Sequence, residues 1–131
     1  MQMVVISPTQ LLLLDRVENN PLQIDGHSAW SAIYSLKSNT ASPIRLLTNS
    51  FCASSSYLSN GTLVSVGGYI AEQANIPDAN GFQALRLFNP PQCPDDGTTC
   101  SFIENPARIR LAKPRWYPTT VRYGIYRTLP G

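Results

Sequence analysis

An asparagine-glycine pair in the middle of the chain constrains the fold more than any other feature. Asn60 and Gly61 stand between two short runs, "SSSYLS" and "TLVSV", whose residues favour strands. Such a pair favours a type I′ turn, because both central residues of that turn need a positive φ. Gly67 and Gly68 follow the second run. The stretch therefore predicts a β-hairpin whose second strand is closed by two glycines.

Other runs along the chain show the same two-residue alternation, and no long segment has a helical period. These runs are "QMVVI", "LLLLD", "AWSAIYSL", "QALRLF", "CSFIEN" and "ARIRLAKPRWYPTTVRYGIY". In the last of them, Pro114 and Pro118 restrict pairing to short or edge contacts, because proline has no N–H to donate. The pattern indicates an all-β fold.

The order of these signals is that of a kelch-like propeller blade. A strand, a tight turn and an apolar strand ending in Gly-Gly are followed by "LRLF" and a proline-rich exit. Each such blade is a four-stranded sheet of about 50 residues, so the chain supplies about two to three blades. A closed ring needs at least about four blades. We therefore expect an incomplete kelch-like β-propeller.

Composition and charge argue against two classes of partner. The 131 residues, 43% of them apolar, suit a single packed unit. A net charge of +2 from scattered Lys and Arg gives little support for binding nucleic acid or an anionic membrane. The sequence also lacks a membrane span and the apolar core of a secretory signal. We expect no nucleic-acid partner, no membrane partner and no signal peptide in this chain.

The number of cysteines is odd, which leaves at least one without a cysteine partner in the chain. Cys93 and Cys100 enclose the polar loop of "CPDDGTTC", where a disulfide is geometrically plausible. It would close few residues and so add only modest stability. Cys52, in "TNSFCA", is then unpaired, and the simplest interpretation is a small buried hydrophobic residue.

Longer motifs support a second interpretation of Cys52. The segments "VENNPLQIDGHSAW", "TNSFCASSSYLSNGTLVSVGG" and "PARIRLAKPRWYPTT" resemble the N-terminal region of fungal glyoxal oxidases, copper-radical oxidases related to galactose oxidase. The motifs occur in the family's order, and the resemblance covers about residues 1–122. It implies a seven-bladed parent, of which residues 1–131 would be a partial N-terminal propeller domain, truncated at both ends.

The resemblance implies a redox site formed by Cys52 and Tyr117. In that family the cysteine of "NSFCA" is joined by a thioether bond to the tyrosine ring of "RWY", and this tyrosine is both a copper ligand and a stored radical. Oxidation of an aldehyde or a primary alcohol removes two electrons, whereas Cu(II) accepts one, so the modified phenol is the second acceptor. O₂ then takes up both electrons and leaves as hydrogen peroxide. The implied partners are O₂ and a small aldehyde or alcohol.

The remaining copper ligands are expected outside this chain. The family supplies an axial tyrosine and two histidines from later blades, whereas the sequence here contains only His27, in "IDGHSAW". We expect His27 to be a hydrogen-bonding loop residue, and the isolated chain to hold no copper and to be inactive. Trp116 precedes Tyr117, and in a strand its side chain would point to the opposite face.

Two functional hypotheses follow from the sequence. The first is a fragment of a copper-radical oxidase, extracellular like its family. The second is a kelch-type protein-interaction module without redox activity.

Overall fold

The computed structural model describes residues 1–16, 20–70, 76–94 and 99–122. Within these ranges the secondary structure consists of short β-strands and one 3₁₀ helix, so the predicted all-β class is confirmed. The strands are β1 (Gln2–Ser7), β2 (Gln10–Leu14), β3 (Gln23–Ile24), β4 (His27–Ser28), β5 (Ser31–Ser35), β6 (Thr40–Pro43), β7 (Ser54–Tyr57), β8 (Leu63–Val66), β9 (Leu85–Phe88) and β10 (Phe102–Glu104), and the 3₁₀ helix is Pro90–Gln92.

Two four-stranded antiparallel sheets form the architecture. The first has the order β1-β2-β5-β6 and the second the order β10-β9-β8-β7, while β3 and β4 pair as a separate ribbon. A four-stranded antiparallel sheet is the repeating unit of a propeller. In the described part of the chain neither sheet closes into a barrel. The arrangement is that of a partial β-propeller, as expected from the sequence.

The core lies between the two sheets. β2 places alternate residues inside, and Leu12 and Leu14 are almost fully buried. Leu63 of β8 and Phe88 of β9 join the same apolar cluster from the second sheet. Trp30 also belongs to it, and its indole N–H donates to the backbone oxygen of Leu46 at 3.1 Å. Burial of these side chains is the main force that holds the two sheets together.

The predicted hairpin exists, but its turn is wider than a type I′ turn. β7 ends at Tyr57 and β8 begins at Leu63, directly opposite. Only Gly61 of the central pair has a positive φ, of 83°. The Asn60 side chain instead accepts a hydrogen bond from the Thr62 N–H at 3.0 Å. This local side-chain bond organises a five-residue loop from 58 to 62, and the predicted turn type is therefore wrong.

The described part of the last predicted run does not form a regular strand, and residues 123–126 of that run lie outside the described residues. In the described residues 107–122, pairing is limited to an isolated bridge between Arg110 and Ala84. Pro114 and Pro118 remove the N–H donors that a ladder would need, which is the reason anticipated from the sequence. The segment crosses the end of the second sheet as irregular backbone.

The two sheets contact each other through β1 of the first sheet and β7 of the second. The Gln2 side chain accepts a hydrogen bond from the Ser55 hydroxyl at 2.6 Å and donates one to the backbone oxygen of Ala53. The Tyr57 hydroxyl donates to the backbone oxygen of Val5 at 2.6 Å.

Among the described residues no helix is long and apolar enough to cross a membrane.

Candidate functional site

Cys52 lies in a tight turn immediately before β7. The Ala53 N–H donates to the Ser50 oxygen at 3.1 Å, and the Phe51 N–H donates to Asn49 Oδ1 at 2.9 Å. Cys52 itself has a φ of 59°, a left-handed conformation that costs about 1–2 kcal/mol for a residue with a side chain. Its thiol is free and half-buried. The turn therefore holds a free thiol in strained backbone.

Tyr117 lies in the irregular segment that crosses the second sheet. It also has a left-handed backbone, with a φ of 53°, and its side chain is 67% exposed. The segment is fixed on both sides of it: the Arg115 oxygen accepts from the Gly68 N–H at 3.3 Å, and the Thr120 hydroxyl lies 2.7 Å from that of Ser54. The backbone around Tyr117 is therefore anchored, while its phenol is accessible.

The side chains of Cys52 and Tyr117 meet in one pocket. The pocket has a volume of about 370 Å³, and both residues line it. Cys52 raises the pKa of Tyr117 above its ordinary value, first as a hydrogen-bonding neighbour of the hydroxyl and then through the charge of its ionised thiol. The structure thus brings together the two residues that the sequence motifs singled out.

Backbone strain is concentrated at this pair. In the described part of the chain, four residues other than glycine have a positive φ: Asp25, Asn39, Cys52 and Tyr117. Asp25 and Asn39 lie in turns between paired strands, where such a conformation is common. Cys52 and Tyr117 instead face one pocket, and strain at a pocket is typical of functional sites.

Ser50 lines the same pocket and was not singled out by the sequence. Its side chain is 2% exposed, and among the described residues its hydroxyl has no hydrogen-bond partner. A buried hydroxyl without a partner is costly and is often explained by an ion, a water molecule or another bound group. An orphan hydroxyl beside a thiol and a phenol suits a pocket that receives another group.

A row of aromatic rings leads from Tyr117 to the neighbour of Cys52. Its ring lies 4.9 Å from that of Trp116, and Trp116 lies 4.8 Å from Tyr69. Tyr69 in turn contacts Phe51, the neighbour of Cys52, at 6.2 Å. The expectation that Trp116 points away from Tyr117 is wrong, because the segment is not a strand and Tyr117 has a left-handed backbone.

The donors in the pocket fit part of a copper site. A phenol oxygen could serve as one donor to Cu(II), and that of Tyr117 is accessible beside a free thiol. Within the described residues no group of three or more His, Cys, Asp or Glu could hold a metal ion. His27 does not line the pocket; it begins β4, stacks on Trp30 at 4.4 Å and bonds to the Ser28 oxygen through Nδ1. The fit is thus to one ligand position.

The other two cysteines are joined to each other. Cys93 and Cys100 form a disulfide with their Cα atoms 4.7 Å apart. Cys100 is 8% exposed and belongs to the apolar core. Cys52 is therefore the free cysteine, and it shares its pocket with the phenol of Tyr117.

The fold and the pocket together define a class of protein: a propeller-like chain with a thiol–phenol pair at the edge of its second sheet. The family described as "Glyoxal oxidase N-terminus" matches residues 2–124. The chain belongs to this family, which confirms the predicted relationship to the N-terminal region of glyoxal oxidases.

A curated relative agrees with this assignment. The aldehyde oxidase GLOX of Vitis pseudoreticulata is 32% identical to the chain over 91 residues. These residues make up 70% of the chain and 15% of the relative, so the chain corresponds to a small part of that protein. No solved structure matches the chain significantly.

Proposed function

We propose that this chain carries the radical half of the active centre of a copper-radical oxidase. The complete enzyme oxidises aldehydes or primary alcohols with O₂ and releases hydrogen peroxide. The observation that carries the proposal is that the free cysteine Cys52 and the exposed tyrosine Tyr117 line one pocket. Family membership and the similarity to an aldehyde oxidase support the same reaction.

In this proposal Cys52 and Tyr117 become covalently joined. The Cys52 sulfur bonds to the ring carbon next to the one that carries the hydroxyl of Tyr117. The S–H and the ring C–H bonds break, and their two protons and two electrons reduce O₂ to hydrogen peroxide. A sulfur substituent spreads the unpaired electron of an oxidised phenol, so the modified ring loses an electron more easily. The Cys52 turn and the anchored Tyr117 segment hold the sulfur and the phenol at the same pocket.

Tyr117 is the residue of this chain that would hold copper, through its phenol oxygen. Copper, when bound, supplies a one-electron acceptor and a Lewis acid that binds the substrate oxygen. Ser50 supplies a hydroxyl with an unused hydrogen-bonding capacity inside the pocket. The remaining copper ligands come from residues outside those described, and we propose that the chain has no oxidase activity without them.

We further propose that the protein works in an oxidising compartment outside the cell. The support is the disulfide between Cys93 and Cys100, since such bonds persist in secreted proteins and are rare in the cytosol.

Peptide mass spectrometry of the protein at its natural full length tests the proposal. After expression without copper and addition of copper in air, we expect one cross-linked peptide pair containing Cys52 and Tyr117, lighter than the separate peptides by two hydrogens. Cys52→Ser and Tyr117→Phe abolish the cross-link and the release of hydrogen peroxide from an aldehyde. Tyr57→Phe, at a tyrosine that bonds to Val5 instead, retains both.

Separate, unmodified Cys52 and Tyr117 peptides in the copper-loaded protein would overturn the proposal. The second hypothesis, a kelch-type protein-interaction module without redox activity, would then be favoured over the oxidase.

A further inference from the structure

Arg86 is a charged residue in the interior of the second sheet. It lies in β9 with 0% of its surface exposed, although an ionised group is costly to bury unless it is well paired. Glu104 of β10 stands directly opposite and is also buried, with its Oε2 atom 3.7 Å from Arg86 Nε. Burial lowers the pKa of Arg86 to about 10, against the opposing effect of the Glu104 charge. A buried cation of this kind requires a structural reason.

Arg86 and Glu104 bind the backbone segment that leads to Cys52. Arg86 Nη2 donates to the Asn49 oxygen and Nε donates to Thr48 Oγ1, both at 2.8 Å. Glu104 accepts from the N–H of Leu47 at 2.8 Å. The ion pair therefore fixes the irregular segment 47–49. The Asn49 side chain then begins the turn that presents Cys52.

Arg86 also binds the backbone against which the Tyr117 segment packs. Arg86 Nη1 donates to the Gly67 oxygen at 2.8 Å. Gly67 is packed so closely against the Tyr117 segment that an added Cβ would lie 2.7 Å from the Arg115 oxygen and 2.9 Å from Pro118 Cγ. The guanidinium thus holds the backbone on which the Tyr117 segment rests.

The two segments converge on the glycine pair beside Arg86. An added Cβ on Gly68 would lie 2.0 Å from the Asn49 oxygen, and the Gly68 N–H donates to the Arg115 oxygen. Because Gly67 and Gly68 have no side chains, the segment 47–49 and the Tyr117 segment can both pack closely against them. A guanidinium has five N–H donors in a rigid planar fork and can bind acceptors in both segments at once, whereas a lysine ammonium is a point charge.

We propose that Arg86 is a positioning residue for the Cys52–Tyr117 pair, which it holds together by bonding to Asn49 on one side and Gly67 on the other. It acts on the cysteine and the tyrosine through the backbone of the two segments. The inference rests on the proposed function, because the cross-link is the property that this positioning serves.

The test compares Arg86→Lys with Leu12→Ala in the protein at its natural full length. Lysine keeps the charge opposite Glu104 but loses the fork. Leu12 is equally buried, lies in the first sheet and does not line the pocket, so its truncation controls for general loss of stability. In the metal-free protein, nuclear Overhauser contacts between the Tyr117 ring and the Cys52 β protons report the geometry. We expect Arg86→Lys to lose these contacts and Leu12→Ala to keep them.

The second readout is the rate of thioether formation after copper is added in air, followed by intact mass. We expect Arg86→Lys to slow it about tenfold or more, since small displacements of reacting groups have large effects on rate. Leu12→Ala should remain within about twofold of the unchanged protein at a temperature where both are folded. Unchanged proton contacts and an unchanged rate in Arg86→Lys would overturn the inference.

Failure of the proposed function has a different result. If the unchanged protein forms no thioether, the proposed function fails, and the proton contacts alone decide the role of Arg86. If Arg86→Lys does not fold, the double variant Arg86→Met, Glu104→Gln replaces it, since it removes the Arg86 bonds to Asn49 and Gly67 without leaving a buried charge unpaired. Contacts and rate in the folded double variant that equal those of the unchanged protein also contradict the inference.

Discussion

Arg86 and Glu104 face each other across β9 and β10 as a buried ion pair, with Arg86 Nε 3.7 Å from Glu104 Oε2 and neither side chain more than 3% exposed. Glu104 also accepts hydrogen bonds from the backbone N–H groups of Leu47 and Thr48. The pair thereby connects the second sheet to the chain that leads into the Cys52 turn. Breaking a buried charge pair in this position should lower the free energy of unfolding more than breaking a surface pair.

Glu104→Gln is expected to lower the free energy of unfolding by about 3–5 kcal/mol, because it leaves the Arg86 charge buried without a countercharge. Asp25→Asn is the matched control. It breaks the exposed pair with Arg45, at 3.6 Å, and should cost less than about 1 kcal/mol. Urea unfolding of the two variants measures both values. Equal losses of unfolding free energy in the two variants would show that the buried pair stabilises the fold no more than the exposed pair.

The contact between Cys52 and Tyr117 predicts a change in titration. Cys52→Ala removes the hydrogen bond and the thiolate charge that raise the pKa of Tyr117, so this pKa should fall towards its ordinary value. The titration is followed by NMR of ¹³Cζ-labelled tyrosine in the metal-free protein. Tyr57, whose pKa is raised by burial, is the internal control and should not change. A Tyr117 titration that is the same with and without the thiol would contradict the contact.

Ser50→Ala should leave the stability of the metal-free protein unchanged or slightly increase it. The substitution removes a buried hydroxyl that has no partner among the described residues. Ser31→Ala is the comparison, since Ser31 is equally buried but donates to the Ile44 oxygen at 2.6 Å. That variant should lose about 1–3 kcal/mol, because it leaves a carbonyl unpaired. Similar losses at both serines, measured by thermal unfolding, would indicate that Ser50 is already bonded.

Gly68→Ala should destabilise the fold more than Gly61→Ala. Both glycines have a positive φ, 83° at Gly61 and 143° at Gly68, so alanine is strained at either position by about 1–3 kcal/mol. At Gly68 the new Cβ would also collide with the Asn49 oxygen, whereas at Gly61 it would meet nothing within 4 Å. We expect the collision to add about 1–3 kcal/mol or more in urea unfolding. Equal costs would mean that the Asn49 segment can move away freely.

Much of the fold follows from the sequence because its signals are local. Alternation along "LLLLD" and "QALRLF" specifies strands with one buried face, and β2 and β9 appear where these runs predict them. The Asn-Gly pair specifies a hairpin, and the order of the motifs identifies the family. Each of these features depends on residues that are close together in the chain, so backbone preference and hydrophobic period suffice to predict them.

The arrangement of the candidate site was decided by tertiary structure. The sequence motifs pointed to Cys52 and Tyr117, but neither their left-handed backbones nor their shared pocket has a local signal. The arginine of "LRLF" was visible as part of the blade pattern, and only the folded chain shows that it bonds to both Asn49 and Gly67.

The physical reason is the range of the interactions. Strand pattern and turn position are set by neighbours in sequence, and these the sequence determined by itself. The meeting of a thiol, a phenol and a buried guanidinium depends on how closely distant backbones can approach at two glycines. That distance is a property of the packed molecule, and only the tertiary structure decided it.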